Sequence, residues 1–382
     1  MSNDGKMRMK MKAAILRTTS AQRPFSVSKP FSIEEVELDP PNRGEVLIKV
    51  KAVGLCHSDL VAITGERAKP MPIVIGHEAA GIVEEIGQDV QGFAVGDHVV
   101  PSYVASCGRC EMCSVGRPAL CERATIANAN AVLKDGTTRL RQGSTRIHHH
   151  SGVAGFAEYS VIPEEALVKI DKSVPFEHAA LFGCGVVTGV GSVINTAQAK
   201  PGQFIAVVGL GGVGLSAVLA ALAIGSGKVL ALDLSEEKLA FARELGVHHA
   251  LNAGDADVQA QISALTGGGV HIAIETAGSN RALQMAYDIT RRGGTTVTAG
   301  MPGPEAEITL SHLKIAAEER SIKGSYMGSC VAKRDIPRYL NMFQNGSLPV
   351  DKLLSRLIGF DDLNAAMDRL ADAKTVREVL IP

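Results

Sequence analysis

The stretch GQFIAVVGLGGVGLSAVLAALAIGSGKVLALD, residues 202–233, decides how the rest of the chain is read. Phe204–Val208 is short, β-branched and aromatic, which marks a buried parallel strand, and it stops at a glycine cluster that demands a turn. Gly209, Gly211 and Gly214 stand in G-x-G-x-x-G spacing. That spacing permits a tight turn, lets backbone approach a pyrophosphate and allows the next helix to pack closely on the sheet. The helix is predicted over Val213–Ile224. Its first N–H groups lack intrahelical partners and carry partial positive charge, so a diphosphate would be held mainly by backbone. A second strand, Val229–Leu232, ends at Asp233, about twenty residues on, where a carboxylate accepts from a ribose 2′-OH. That acid favours NAD over NADP. A lone glycine triplet is weak, because glycine-rich turns are common; strand, glycines, helix, strand and acid together read as a nucleotide cradle.

At 382 residues the chain is long enough for two domains with substantial cores. Its 39 basic and 40 acidic residues give a formal net charge of −1, so no global field draws nucleic acid or an anionic membrane, and small molecules are the expected partners. The most apolar stretch, around Leu215–Ile224, is too short to span a bilayer. MSNDGKMRMKMK at the start has no apolar h-region and is expected to be a disordered extension rather than a secretory signal, which points to the cytoplasm. There, thiols stay reduced, so the seven cysteines suggest metal or catalysis before disulfides.

From Met11 to about Tyr103 the pattern is β-rich, with short runs at Lys12–Leu16, Ile33–Leu38, Glu45–Val53, Gly81–Ile86 and His98–Tyr103. Two loops follow apolar runs: Gly54-Leu-Cys-His-Ser-Asp59 and Gly76-His-Glu78. Cys56 and His77 are suitable zinc ligands, although either alone reads equally well as a core residue. Cys107, Cys110, Cys113 and Cys121 make the strongest motif: four thiolates so close together can close a tetrahedral, structural zinc shell. An iron–sulfur cluster or free thiols are the rival readings. Glu122–Val153 is polar and glycine-punctuated and reads as a long loop; His148, His149 and His150 within it read as a solvated surface run with no role. Cys184, in Phe182-Gly-Cys-Gly-Val-Val-Thr-Gly189, would supply a third ligand; two cysteines and a histidine leave one zinc position open for water or substrate. Beyond Asp233, strands at Val270–Glu275 and Thr295–Ala299 alternate with helices, one capped by Ser235 and one at Arg281–Ile289, so the sheet is expected to be parallel and doubly wound. Helices near Ala332–Gln344 and Phe360–Ala371 and a strand at Thr375–Ile381 close the chain. Cys330 reads as a small core residue.

Gly76-His-Glu78, the four-cysteine lobe, Gly183-Cys-Gly-x-x-Thr-Gly189 and Gly209-Leu-Gly-Gly-Val-Gly214, in this order, resemble the zinc-dependent medium-chain alcohol dehydrogenases over nearly the whole chain. The resemblance implies an α/β protein: a GroES-like, β-rich catalytic domain (1–185 and 327–382) and a Rossmann NAD-binding domain (186–326) in a homodimer or homotetramer. It implies reversible hydride transfer from a zinc-bound primary alcohol to NAD. Ser58 would take the hydroxyl proton, Asp59 would hydrogen-bond His77, and Glu78 would lie behind the metal; Ser58 and Asp59 also read as helix caps. Thr188, Gly212, Val213, Asp233, Lys238 and Arg377 would lie along the dinucleotide.

Two departures stand out. The phosphate-facing arginine of many relatives is His57 here, which is expected to weaken cofactor binding or make it pH-dependent, and the relay histidine of many relatives falls at Val61. Around Cys56-His-Ser-Asp-Leu-Val61 the likeness is greater to aryl and benzyl alcohol dehydrogenases, and with Tyr103 placed near the cleft an aromatic or medium-length alcohol is expected. The glutathione-dependent formaldehyde dehydrogenase branch is the alternative, although its glutathione-binding arginine aligns with Thr125. A non-catalytic, NAD-sensing zinc protein is the rival from another class.

Overall fold

In the computed structural model residues 8–19 and 21–382 are described, and they divide into two compact units. One comprises the described residues up to Cys184 with Val331–Asn341 and Asp351–Pro382; the other comprises Gly185–Cys330 and Met342–Val350.

The first unit is built from short strands whose apolar positions point inward. Met9–Leu16, Phe31–Leu38, Leu140–Gln142, Thr145–His149 and Ile73–Val74 close into a small barrel. A second, seven-stranded sheet runs Leu167–Ile170, His98–Pro101, Glu78–Ile86, Glu45–Gly54, Arg377–Leu380, Leu354–Ile358, with Tyr159–Pro163 also on Glu45–Gly54. Ile15, Leu16, Ile48, Val53, Ile75 and Phe156, all fully buried, belong to the core of this unit. The first residues of the chain depart from expectation: Met9–Lys12 belong to the opening strand, while residues 1–7 of the expected extension lie outside the described residues.

The segment expected as a loop over Glu122–Val153 is structured. A helix, Glu122–Ala129, starts at Cys121, and Leu140–Gln142 pairs with Thr145–His149 as a hairpin turned at Gly143, whose φ of +58° suits glycine. The histidines expected on the surface are turned inward: His149 and His150 are buried and His148 is half-buried. Two features bring this about. The hairpin alternates, so His149 shares the inward face of Ile147, and the strand pairs in parallel with Ile73–Val74 at the barrel closure. The break after His150, where Ser151 adopts φ +55°, then turns the chain.

The second unit is a six-stranded parallel sheet ordered His249–Asn252, Lys228–Asp233, Phe204–Val208, Val270–Glu275, Thr290–Thr298, Ser321–Gly324. Numbered along the chain this is 3-2-1-4-5-6, the doubly wound dinucleotide-binding order. Leu230, Leu232, Ala206, Val208 and Ala273 carry its core against helices such as Val258–Thr266 and Asn280–Ile289. Ser235 caps the helix Glu236–Glu244, accepting from the Lys238 N–H. No single helix among the described residues is long and apolar enough to cross a membrane.

His149 generates a pH test. Its Nε2 accepts the Arg139 N–H at 3.1 Å, which needs a neutral ring, and burial followed by Arg139 pushes its pKa down to about 3. The unfolded chain takes this proton near the ordinary histidine value of about 6.5, so native stability is present above that pH and is lost as pH falls toward 3. His149→Gln, which keeps an acceptor without the titrating ring, is expected to flatten the pH dependence of urea unfolding across that window. An unchanged slope would contradict the assignment.

Candidate metal and dinucleotide sites

The strand pairing of the first unit assembles the candidate metal site. Glu45–Gly54 and Glu78–Ile86 run antiparallel with Gly54 opposite Glu78, so the loop carrying Cys56 leaves one strand where His77 enters the other. Gly54 permits this: a Cβ there would sit 2.6 Å from Glu78 Oε2. Gly183 brings in the third arm, because a Cβ on it would meet Glu78 Cα and the Pro101 carbonyl at 3.1 Å, and Cys184 follows directly. The candidate donor atoms of Cys56, His77, Glu78 and Cys184 lie within 4.8 Å of one another and all four residues are buried.

Their electrostatics suit a dication. The Cys184 thiol, then His77, hold Cys56 well below the usual thiol range, while Cys56 and burial push Cys184 well above it. Burial opposes charging of His77, but the Asp59 carboxylate and then Cys56 raise it well above the usual imidazole range. His77 Nδ1 faces Asp59 Oδ1 at 3.3 Å, and its Nε2 is buried with no hydrogen-bond partner. An orphaned imidazole nitrogen beside two thiols is a donor set that fits zinc.

Cys56 is the N-cap of the helix His57–Thr64, and Asp59 Oδ2 accepts the Cys56 N–H at 3.0 Å, so Asp59 is both the helix cap and the histidine's partner. Ser58 Oγ lies 3.9 Å from Cys56 Sγ. His57 is exposed and Val61 half-buried on the same helix. Arg377 is buried, donating to the Leu55 carbonyl at 3.1 Å and Glu78 Oε1 at 3.2 Å, and burial pushes the Glu78 carboxyl up to about 8. Tyr103 and His150 both pack edge-on to His77, with ring centroids 5.0 and 5.2 Å away. His150 lay outside the sequence reading of the site, and no spacing or motif in the sequence marks it.

The four-cysteine lobe is compact, with sulfur donors within 4.8 Å. Cys110 Sγ lies 3.5 Å from Cys113 Sγ and 3.9 Å from Cys121 Sγ. A tetrahedron with zinc–sulfur bonds of about 2.3 Å has edges of about 3.8 Å, so the lobe fits zinc. Backbone N–H groups of Cys107 and Cys110 donate to Cys121 Sγ and Cys107 Sγ. The Arg109 and Cys110 N–H groups pull Cys107 down to about 6, while burial and Cys110 push Cys113 up to about 12: these thiols cannot all ionise together without a cation.

In the second unit the glycines divide the work. Gly209 has φ +95°, and a Cβ on Gly214 would fall 1.8 Å from the Gly209 carbonyl oxygen, so turn and helix touch there. A Cβ on Gly211 would meet nothing within 4 Å, which leaves the backbone open to a ligand. The helix Gly212–Ala223 begins there with Val213 in its first turn, one residue ahead of the expected start. Asp233 Oδ2 accepts the Leu210 N–H at 2.7 Å and Oδ1 the Ser235 N–H at 3.0 Å, with Lys238 Nζ at 3.9 Å. Thr188 is buried beside Met327, and Gly189 is packed against the Val213 carbonyl. Cys330 is buried, its sulfur 3.4 Å from the Val187 carbonyl.

Residues 42–172 match the family model for the alcohol dehydrogenase GroES-like domain and residues 212–345 that for zinc-binding dehydrogenase. An S-(hydroxymethyl)glutathione dehydrogenase of Synechocystis sp. is 34% identical over 360 residues, 93% of this chain and 97% of the relative. The chain belongs to the zinc-dependent medium-chain alcohol dehydrogenases. It is an oxidoreductase whose cofactors are zinc and NAD, with the GroES-like and Rossmann architecture of that family. An alcohol dehydrogenase zinc-binding domain protein from Burkholderia ambifaria superimposes with TM-score 0.93 at 34% identity, covering 98% of this chain and 100% of that one. Benzyl alcohol dehydrogenase from Acinetobacter calcoaceticus superimposes with TM-score 0.91 at 32% identity, covering 98% and 99%.

The geometry separates variants by what they lose. Cys184→Ser is expected to remove one zinc and leave the fold intact, whereas Cys110→Ser removes the other and costs roughly 3 kcal/mol or more of stability. Gly214→Ala is expected to destabilise the second unit by about 3 kcal/mol through overpacking, while Gly211→Ala folds normally and weakens dinucleotide binding. Zinc counts, thermal unfolding and cofactor titration read these outcomes. Equal stability of the two cysteine variants, or of the two glycine variants, would contradict the site description.

Proposed function

We propose that this dehydrogenase oxidises an apolar primary alcohol, aromatic or medium-length, to its aldehyde with NAD. One observation carries the reading: Cys56, His77 and Cys184 converge as a buried three-ligand set with Ser58 Oγ beside it, 3.9 Å from Cys56 Sγ. Zinc held there supplies Lewis acidity that makes a substrate hydroxyl a stronger acid, and NAD supplies the hydride acceptor. Ser58 accepts the hydroxyl proton. Val61 has no titrating group, so the proton leaves Ser58 toward the exposed His57 and solvent. Asp59 fixes the His77 tautomer with its proton on Nδ1, freeing Nε2 for the metal. Glu78 and Arg377 lie behind the ligands, and Cys107, Cys110, Cys113 and Cys121 hold the structural zinc.

Two features favour an apolar substrate. The rings of Tyr103 and His150 flank His77, and Thr125, on an exposed helical turn, has its hydroxyl committed to the Cys121 carbonyl rather than offering a cation to a glutathione carboxylate. The Acinetobacter benzyl alcohol dehydrogenase likeness supports the same class. Oxidation of S-(hydroxymethyl)glutathione is the second reading, favoured by the Synechocystis relative's name.

Along the dinucleotide we place, in the second unit, Thr188, Gly209, Gly211, Gly212, Val213, Gly214, Asp233 and Lys238. Each Asp233 oxygen already takes one backbone N–H and keeps lone pairs for a ribose hydroxyl. Six cysteines used as thiolates suit the reducing cytoplasm. Exposed Leu313, Ile315 and Ile322 near the open edge strand Ser321–Gly324 favour a homodimer or homotetramer, and the near-neutral charge leaves nucleic acid and membranes out as partners.

NADH formation across a panel of alcohols tests the substrate. Benzyl-type or medium-length alcohols are expected to give higher kcat/KM than S-(hydroxymethyl)glutathione, and Ser58→Ala to lower kcat severely. A preference for the glutathione adduct, or near-normal kcat without Ser58, would refute the reading. NADP is expected to be used about 100-fold less well than NAD, the ~3 kcal/mol of a 2′-phosphate set against a carboxylate. Comparable kcat/KM for the two would remove Asp233 from its role.

A further inference from the structure

His150 has no place in the mechanism above, yet it is a buried polar side chain in the middle of the metal site. Its side chain is 3% exposed. The parallel register that sets Val74 opposite His149 puts the residue after His149 alongside the segment running from Val74 to His77. There Asp59 Oδ1 faces two imidazoles, with His77 Nδ1 at 3.3 Å and His150 Nδ1 at 3.9 Å. The other oxygen, Oδ2, is committed to the Cys56 N–H. His150 Nδ1 and Asp59 Oδ1 are both buried with no hydrogen-bond partner among the described residues. The rings of His77, Tyr103 and His150 stand mutually edge-to-face, with His150 centroids 5.2 Å from His77 and 6.1 Å from Tyr103.

We propose that His150 is a positioning residue for the zinc ligand His77, acting through the Asp59 carboxylate that the two imidazoles share. Asp59 is fully buried, and a buried carboxylate with a donor on one oxygen alone keeps rotational freedom that a donor on the other oxygen removes. A small rotation that closes the 3.9 Å gap lets an N–H from His150 Nδ1 fix Oδ1, and with Oδ2 held by the Cys56 amide the carboxylate has one orientation. Its bond to His77 then sets the ring plane and keeps the Nδ1–H tautomer, so Nε2 points at the metal. The packed Tyr103 and His150 rings block the rotation that would undo it. Among Asp59's partners, the Cys56 amide and the two imidazoles are the only groups placed to share this work among the described residues.

The inference rests on zinc at Cys56, His77 and Cys184, and the test separates the two. Zinc release from the purified enzyme to excess chelator is followed for the parent, His150→Phe, His150→Leu and His150→Asn, with the four-cysteine zinc as internal reference. A side-chain amide can still donate to Asp59; phenylalanine and leucine fill the space without donating. Loss of the donor to Asp59 is expected to speed release of the site zinc about tenfold in His150→Phe and His150→Leu, and His150→Asn is expected to stay within about twofold of the parent. Cobalt-substituted protein adds a signature: the ligand-field bands shift in the two apolar variants and return in His150→Asn, whereas a role in packing alone is served by phenylalanine. Parent-like release and spectra in both apolar variants, or His150→Asn behaving as they do, would overturn the proposal. A parent holding only the four-cysteine zinc would overturn the site assignment beneath it.

Discussion

The antiparallel register that places Gly54 opposite Glu78 is the constraint on which the site depends. It brings Cys56 and His77, far apart in sequence, to one end of a sheet and buries Glu78 among them. The cost of that burial is visible in the carboxyl, pushed up to about 8 by desolvation although the Arg377 guanidinium lies 3.2 Å away. Asp59, Glu78, Cys56 and Cys184 form an acidic buried cluster, and Arg377 and His77 are its nearby cationic groups. Burial holds the Glu78 carboxyl and the Cys184 thiol in their protonated forms, and a divalent cation there would let Cys184 join Cys56 as a thiolate. The strands and glycines that make the fold thus also make the demand for metal.

The two metal sites answer to different forces. Around Cys56, His77 and Cys184 the backbone is held by core strands, with Ile48, Val53, Leu55 and Ala79 fully or almost fully buried, so the fold does not wait for zinc. The lobe from Cys107 to Cys121 has no such support. Three of its cysteines are half-buried, and between them and the next helix few residues reach the interior, Ala119 and Ala124 among them. Order in that lobe comes from the converging sulfurs, which is the behaviour of a structural zinc module. Zinc at Cys56, His77 and Cys184 would sit on a frame that exists without it, and zinc in the cysteine lobe would be part of the frame.

Much of this was legible in the sequence because the signals were local. Phe204–Val208 and Val270–Glu275 are strands at the expected residues, and the glycine triplet, the Ser235 cap and the cysteine spacing each specify their own geometry without reference to the rest of the chain. The misreadings fall where non-local pairing decides. Thr145–His149 is polar and short, and only its place in the barrel, between Leu140–Gln142 and Ile73–Val74, makes it a strand with an inward face. The alternation of Ile147 and His149 was the available signal for one buried histidine. For His150 there was none, since its inward turn depends on the left-handed Ser151 and on a strand from another part of the chain. Met9–Lys12 likewise look like a charged tail, yet burial that alternates over these four residues, paired with Glu35–Leu38, makes them part of the barrel wall.

The side chains brought together in the first unit would hold two zinc ions in unlike ligand sets, four sulfurs in one and two sulfurs with a histidine nitrogen in the other. Zinc X-ray absorption on the purified protein, combined with elemental analysis, measures both count and ligands at once. Two zinc ions per chain are expected, with an average of about three sulfurs per zinc and a clear imidazole scattering signature. One zinc per chain with a pure four-sulfur shell would contradict this expectation.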